Sequence, residues 1–366
     1  ISDDHECVTA EELIARLRVG MSVLVREGST ERNVDALITG AVREGLPLDN
    51  LMFCTDDKHA TEIRSEGHIN YNVARAIALG VSPVEAIKMG TLNAARHFRL
   101  EDEIGSIAPG RKADILLVPD LTEMRPSRVY FDGRLVAEQG ALLEPCQAAD
   151  YPEWILHTVH LKRPITPASF RKETGAAGDR VRVNVIDLID RQIINRRLVT
   201  ELPCANGEIL PDISRDIAKL AVVERYGKTG GVGIGFARGF GLKKGALAYS
   251  TSHDHHNIVT VGADDADMAL AVNTVAEMQG GLAVVCGGEV LAKMCLPIGG
   301  LMSTKPAEEV MAEQDAMNEA ARQLGCVGSA PFMTLSFISL PTVPELGLTD
   351  LGLIDVLEHK LIPLEC

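Results

Sequence analysis

In the amino-terminal part of the chain, short unbroken apolar runs alternate with stretches whose apolar residues recur every three or four positions. Residues 22–26 (SVLVR) and 51–55 (LMFCT) are runs of the length of buried strands. Helical spacing follows each of them, near residues 32–43 and 69–79, and again over 83–89 and 93–98. Ahead of the first run, Thr9 and Glu12 make a capping-box pattern and Val8 can staple onto Leu13, so a helix is expected to start there and run toward Gly20. Strand, polar loop and helix in succession is a β/α rhythm, which predicts a parallel sheet. The polar residues just after each strand then gather at one edge, so His5, Arg26-Glu27 and Asp56-Asp57 are expected as neighbours.

The pattern changes after residue 104. Residues 105–118 (GSIAPGRKADILLV) bring a glycine turn and a strand, and Val129-Tyr130-Phe131 followed by Asp132-Gly133 predicts a hairpin. Prolines at 145, 152, 164 and 167 place a boundary over 146–175. Beyond it, Val181, Val183 and Val185 alternate with Arg182 and Asn184, the period-two mark of a half-buried strand. Further strands are expected near 220–224, 246–251, 258–261, 282–286 and 334–337, with helices over 265–278 and 305–324. The glycine-rich run over 230–241 imitates dinucleotide fingerprints but lacks their strand and helix context, and reads as a flexible loop. The expected divisions are 1–104, 105–145, a 146–175 linker and an α+β domain over 176–366.

Composition narrows the field. With 366 residues, 46% hydrophobic and 24% charged, the chain suits two or three folded domains. A net charge of -15 without a dense basic cluster argues against nucleic acid as a partner, and no apolar stretch approaches the roughly 20 residues a membrane span needs. Eight cysteines scattered without metal or redox spacing point to the cytoplasm. Residues 1–6 show no basic region, signal core or initiating methionine, so the chain is expected to begin mid-protein.

His5 and Asp56, at the ends of neighbouring strands, are the candidate metal ligands, with Asp56 also able to shuttle a proton. Equally, a histidine before a helix serves as a polar surface residue, and paired aspartates serve as turns or caps. The second cluster is Ser252-His253-Asp254-His255-His256-Asn257, between two expected strands. It is a candidate lid or site loop through His253, His255 and His256, or an ordinary loop whose alternation sends His253 and His255 to one side and His256 to the other.

The segments DDHECVTAEEL, VREGSTERN, CTDDKH, EGHI, TLNAARHF, IGSIAPGRKADILLV, VVERYG, GFGLKKGALA, SHDHHNIVTVG and PIGGLMST resemble, in order, the adenine deaminases of the amidohydrolase superfamily. The resemblance implies the last part of a TIM-like (β/α)8 barrel, a small β-sandwich segment and a carboxy-terminal α+β domain. It implies hydrolysis of adenine to hypoxanthine and ammonia with a pair of divalent ions, manganese or iron with zinc as the alternative. His5 would be a metal ligand and Asp56 ligand and proton shuttle, while Asp57, Arg26, Glu27 and Glu66 are binding candidates near the purine. A homodimer or higher homo-oligomer is implied as well. Another purine or a cyclic amide as substrate, and a non-catalytic assembly role, remain the alternatives.

The chain also departs from that pattern. The family's early HxH pair, bridging carboxylate and fifth-strand histidine have no counterpart and would precede Ile1. About three of eight β/α units cannot close a barrel. The remaining amino-terminal barrel half is thus an expected partner, and the segment alone is expected to be inactive.

Overall fold

The structure, a computed structural model, describes every residue except Thr30, 145–148, Ala177, 190–193 and Ser329. Thr30 of VREGSTERN and residues 146–148 of the expected linker therefore lie outside the described residues. The architecture is mixed α/β in two compact units, Ile1–Ala149 and Asp150–Cys366.

The first unit runs β1 (Asp3–Asp4), α1 (Ala10–Arg18), β2 (Ser22–Arg26), α2 (Val34–Arg43), β3 (Leu51–Cys54), α3 (Ala60–Ser65), α4 (Ile69–Ala78), α5 (Pro83–Met89) and α6 (Leu92–His97). The Thr9 side chain accepts from Glu12 N while Glu12 reaches back to the cap, so the capping box starts α1 where the sequence predicts. β1, β2 and β3 form a parallel sheet in that order, with Asp3 opposite Ser22 and Val23 opposite Leu51. Parallel neighbours require a crossover, and α1 and α2 supply it. Val23, Val25, Leu51 and Phe53 bury against Leu13, Leu37 and Ile38. A separate antiparallel sheet follows in the order β4 (Ile115–Leu117), β5 (Arg128–Phe131), β6 (Arg134–Glu138) and β7 (Ala141–Leu142). Its β5–β6 hairpin turns on Asp132 and Gly133, with φ of 48° and 76°, the positive pair that a tight two-residue turn demands.

The second unit opens with α7 (Glu153–Leu156) and a short 3-10 turn at Pro167–Phe170. Its remaining elements are β8 (Arg180–Leu188), β9 (Asn195–Ala205), β10 (Glu208–Ile209), β11 (Ile217–Val223), β12 (Val232–Arg238), β13 (Ala246–Tyr249), β14 (Ile258–Gly262), α8 (Asp265–Glu277), β15 (Gly281–Cys286), β16 (Glu289–Cys295), α9 (Ala307–Gln323), α10 (Pro331–Phe337), β17 (Leu346–Thr349), β18 (Gly352–Asp355) and β19 (Lys360–Ile362). Strands β8 to β16 form one sheet in the order β10-β9-β8-β12-β11-β14-β13-β15-β16. All its pairings are antiparallel except β8 with β12, where Ile186 lies opposite Ala237 and Asp187 opposite Arg238. Both faces of the sheet are covered: α8 and the 3-10 turn on one, and α9, α10 and the β17-β18-β19 sheet on the other. Alternation along β11 therefore sends Leu220 and Val222 into one core and Ala221 and Val223 into the other.

Three expectations fail here for identifiable reasons. Residues 334–337 are helical, not a strand: Pro331 occupies the first turn of α10, where its missing N–H costs nothing, and Phe332, Met333 and Leu335 make a buried helical stripe. The glycine-rich run is not a flexible loop, because 232–238 is strand β12 inside the large sheet. Its glycines allow the second sheet to approach, since a Cβ on Gly233 would lie 1.8 Å from the Thr349 carbonyl oxygen. β8 is also not half-exposed throughout. Asn184 is buried and its amide donates to Pro363 O at 3.1 Å, tying the last residues to the strand.

Candidate active site

The carboxyl ends of β1, β2 and β3 lie side by side because the strands pair in parallel, and each is followed by polar residues. Arg26, the last residue of β2, is the hub, with only 2% of its side chain exposed. Its Nε donates to Asn33 Oδ1 at 2.9 Å, and its Nη1 donates to Glu6 Oε2 at 2.9 Å and Asp56 Oδ2 at 3.1 Å. His5 joins through Glu6, with Nε2 3.3 Å from Oε1, and its side chain is half exposed. Asp56 takes a left-handed conformation (φ 55°) just past β3, a geometry aspartate tolerates, and its Oδ1 accepts from Asp57 N at 3.0 Å. The loop after β2 approaches closely: Ser29 N donates to Asp57 O at 2.9 Å, and a Cβ on Gly28 would stand 2.8 Å from that same oxygen.

Glu27 and Glu66 belong to an adjoining charged cluster. Arg32 Nη2 donates to Glu66 Oε1 at 2.9 Å, and the buried Lys58 ammonium is 3.0 Å from Glu66 Oε2 and 4.6 Å from the Tyr71 ring centre. Glu27 accepts from Val34 N at the start of α2 and lies 3.7 Å from Arg32. Burial, the largest influence on Glu27, pushes its carboxyl above the usual range despite these partners. A third group links Ser29 Oγ to Glu62 Oε2 at 2.7 Å, with His59 Nδ1 3.5 Å from the same carboxylate. Sequence reasoning missed Glu6, Asn33, Lys58 and Glu62. Glu6 carried a readable signal, being a carboxylate beside His5 at a strand end, whereas burial of Lys58 depends on folding that brings α4 and the loop after β3 together.

The arrangement gathers carboxylates and one imidazole at a strand edge around the Arg26 guanidinium. It is not by itself a complete metal centre. His5 and Asp56 are two donors, fewer than the roughly three protein ligands of a catalytic zinc site. Among the described residues no group of three or more His, Cys, Asp and Glu side chains is placed to hold an ion.

The histidine loop belongs to the second unit and is a turn over 253–255 rather than extended chain, so simple alternation does not apply. The His253 ring stacks on Phe337 at 4.6 Å with its Nδ1 3.0 Å from Ser336 Oγ, and the His253 and His256 rings are 6.1 Å apart. His255 Nδ1 accepts from Asn257 N at 3.1 Å, and burial lowers its pKa from the ordinary value. No helix is long and apolar enough to cross a membrane among the described residues.

Comparison with known proteins divides the chain in the same order. Residues 8–136 match the model of the amidohydrolase family, and residues 192–360 match that of the adenine deaminase C-terminal domain. Adenine deaminase of Desulforamulus reducens is 55% identical over 363 residues, 99% of this chain and 61% of that protein. Adenine deaminase of Moorella thermoacetica is 44% identical over 364 residues, 100% of this chain and 61% of that protein. That of Desulfatibacillum aliphaticivorans is 43% identical over 356 residues, 97% of this chain and again 61% of its own length. The chain thus spans about three fifths of the length of these curated relatives.

Proposed function

We propose that the chain belongs with the adenine deaminases, whose C-terminal domain model and the amidohydrolase model it matches, and that its first unit supplies part of the catalytic centre of an enzyme that hydrolyses adenine to hypoxanthine and ammonia. In this reading residues 1–104 are the last part of a (β/α)8 barrel, 105–145 a β-sandwich segment, 146–175 a linker and 176–366 the adenine deaminase-type domain. Strands β1 to β3, parallel and joined by helices, support the barrel assignment.

A divalent pair, manganese or iron with zinc as the alternative, would supply the lowered pKa of water that hydrolysis of a ring amidine needs at neutral pH. His5 and Asp56 would hold it together with donors from other barrel strands. Asp56 would also carry a proton from the attacking water to the departing amine, so that adenine and water give hypoxanthine and ammonia in balance. Asp57, Arg26, Glu27 and Glu66 would line the purine pocket. His253, His255 and His256 would form the lid or site loop of the second unit. The seven described cysteines are free, which supports the cytoplasm as the compartment.

The observation that carries the reading is the convergence of His5, Arg26 and Asp56 at the carboxyl edge of neighbouring parallel strands. Its test is bound metal and ammonia release from adenine, with guanine as comparison, measured on protein carrying the whole barrel and on its Asp56→Asn variant. Loss of turnover in the variant is expected, and retained turnover removes Asp56 from the mechanism. The 366-residue chain assayed alone is expected to release no ammonia; full activity from it would overturn the shared-centre reading.

A further inference from the structure

The second unit contains a buried cation that forms no salt bridge among the described residues. Arg225, two residues past β11, is only 2% exposed. Its Nη2 donates to Gly299 O at 2.9 Å, but its Nε and Nη1, both buried, have no hydrogen-bond partner among the described residues. Glu224 and Asp350 have other partners. Glu224 accepts from the backbone N–H groups of Tyr226, Lys228, Thr229 and Gly230, and Asp350 accepts from the Asn257 amide at 3.1 Å. A partial offset comes from the Tyr226 ring, 5.3 Å from the guanidinium carbon. Removing a guanidinium from water while leaving two donors unmet is unfavourable unless an acceptor joins it.

Three separate segments meet around Arg225. VVERYG supplies Arg225 itself. PIGGLMST supplies Gly299 and Gly300, and a Cβ on Gly300 would come within 1.9 Å of Nη1, so glycine there lets the backbone close on the cation. The histidine loop contributes Asn257, whose Oδ1 accepts from Arg225 N at 3.2 Å, and Ser250 just before the loop donates to Gly300 O at 2.6 Å. Two more buried hydroxyls without partners among the described residues sit on the flanking segments. They are Thr251, next to Ser250, and Thr158, two residues before His160, whose N–H donates to Arg225 O at 2.6 Å.

We propose that Arg225, with Thr251 and Thr158, forms a binding site in the second unit for a small oxyanion, a phosphate or carboxylate group. A guanidinium provides charge-assisted hydrogen bonds to such oxygens, and threonine hydroxyls complete the shell. None of its residues belongs to the strand-end cluster of the first unit.

Titration of the whole chain with inorganic phosphate, sulfate and formate at constant ionic strength tests it, by calorimetry and by thermal melting. A saturable heat and a rise in Tm with at least one of them are expected for the unaltered protein, with formate alone marking a carboxylate site and phosphate or sulfate a tetrahedral one. Arg225→Met should abolish the effect. Thr251→Val, which removes one hydroxyl at nearly constant volume, should weaken binding about tenfold and keeps the test open if Arg225→Met does not fold. No saturable response to any of the three ions, an undiminished response in Arg225→Met, or unchanged affinity in Thr251→Val would each overturn the site.

Discussion

Nη1 of Arg26 and Oδ2 of Asp56 stand 3.1 Å apart across two adjacent parallel strands, with the guanidinium buried and the carboxylate a quarter exposed. The same nitrogen serves Glu6, so one cation holds two acids at the strand edge. Arg26→Met should lower unfolding stability in urea by about 2 kcal/mol, the cost of a lost charged hydrogen-bond set. Arg26→Lys should recover little of it, because a single ammonium cannot keep Asn33, Glu6 and Asp56 at once. Full recovery by lysine would refute the fork as the cause.

Glu62 gives the first unit a dependence on acid. Burial works to raise its pKa, but hydrogen bonds from His59 and Ser29 outweigh it and hold the carboxyl at about 2. A folded-state value below the unfolded one stabilises fully above the ordinary value of 4.5, and that stability drains away as pH falls toward about 2. At neutral pH, Glu62→Gln should cost about 1–3 kcal/mol. The difference in Tm between the two proteins should shrink as pH drops through that window; a gap that stays constant with pH would dismiss the linkage.

Lys219 lies in the middle of β11 with 1% of its side chain exposed, 3.0 Å from Glu208 and 2.7 Å from Asp265. Replacing it with methionine leaves two acids facing each other beside the core, and a loss of about 3–5 kcal/mol is expected. Adding Glu208→Gln and Asp265→Asn should return much of that stability. Denaturant melts of the single and triple variants decide it, and equal stability of the two would show that the charges play no part.

Gly233→Ala tests the close approach of the two sheets in the second unit. Its Cβ would meet the Thr349 carbonyl oxygen, so one sheet must shift, at about 1–3 kcal/mol as for other overpacked sites. Gly207→Ala is a poor control because its φ is 72°, whereas Gly175, with open space around it, is a suitable one. Similar melting points for alanine at 233 and at 175 would contradict the packing account.

The first unit was largely legible because its signals are local. SVLVR forms β2, LMFC forms β3 and Thr9 with Glu12 caps α1, and parallel pairing then places His5, Arg26 and Asp56 along one edge. What stayed hidden depends on distant partners. Lys58 is buried because Glu66 and Tyr71 reach it, and the glycines of β12 make sense only beside Thr349, more than a hundred residues away. Residues 334–337 carry β-favouring side chains, yet Pro331 and the stripe formed by Phe332 and Leu335 make them helical, a distinction a four-residue run cannot express.

Between β8 and β12, two residue pairs carry the join, compared with seven between β11 and β12. Across it Arg238 grips Asp187 through two hydrogen bonds of 2.6 and 2.7 Å. The broad sheet therefore has a seam, where the three strands β8 to β10 meet the six strands β11 to β16 through one short parallel pairing. That ion pair adds a side-chain link where the backbone ladder is shortest.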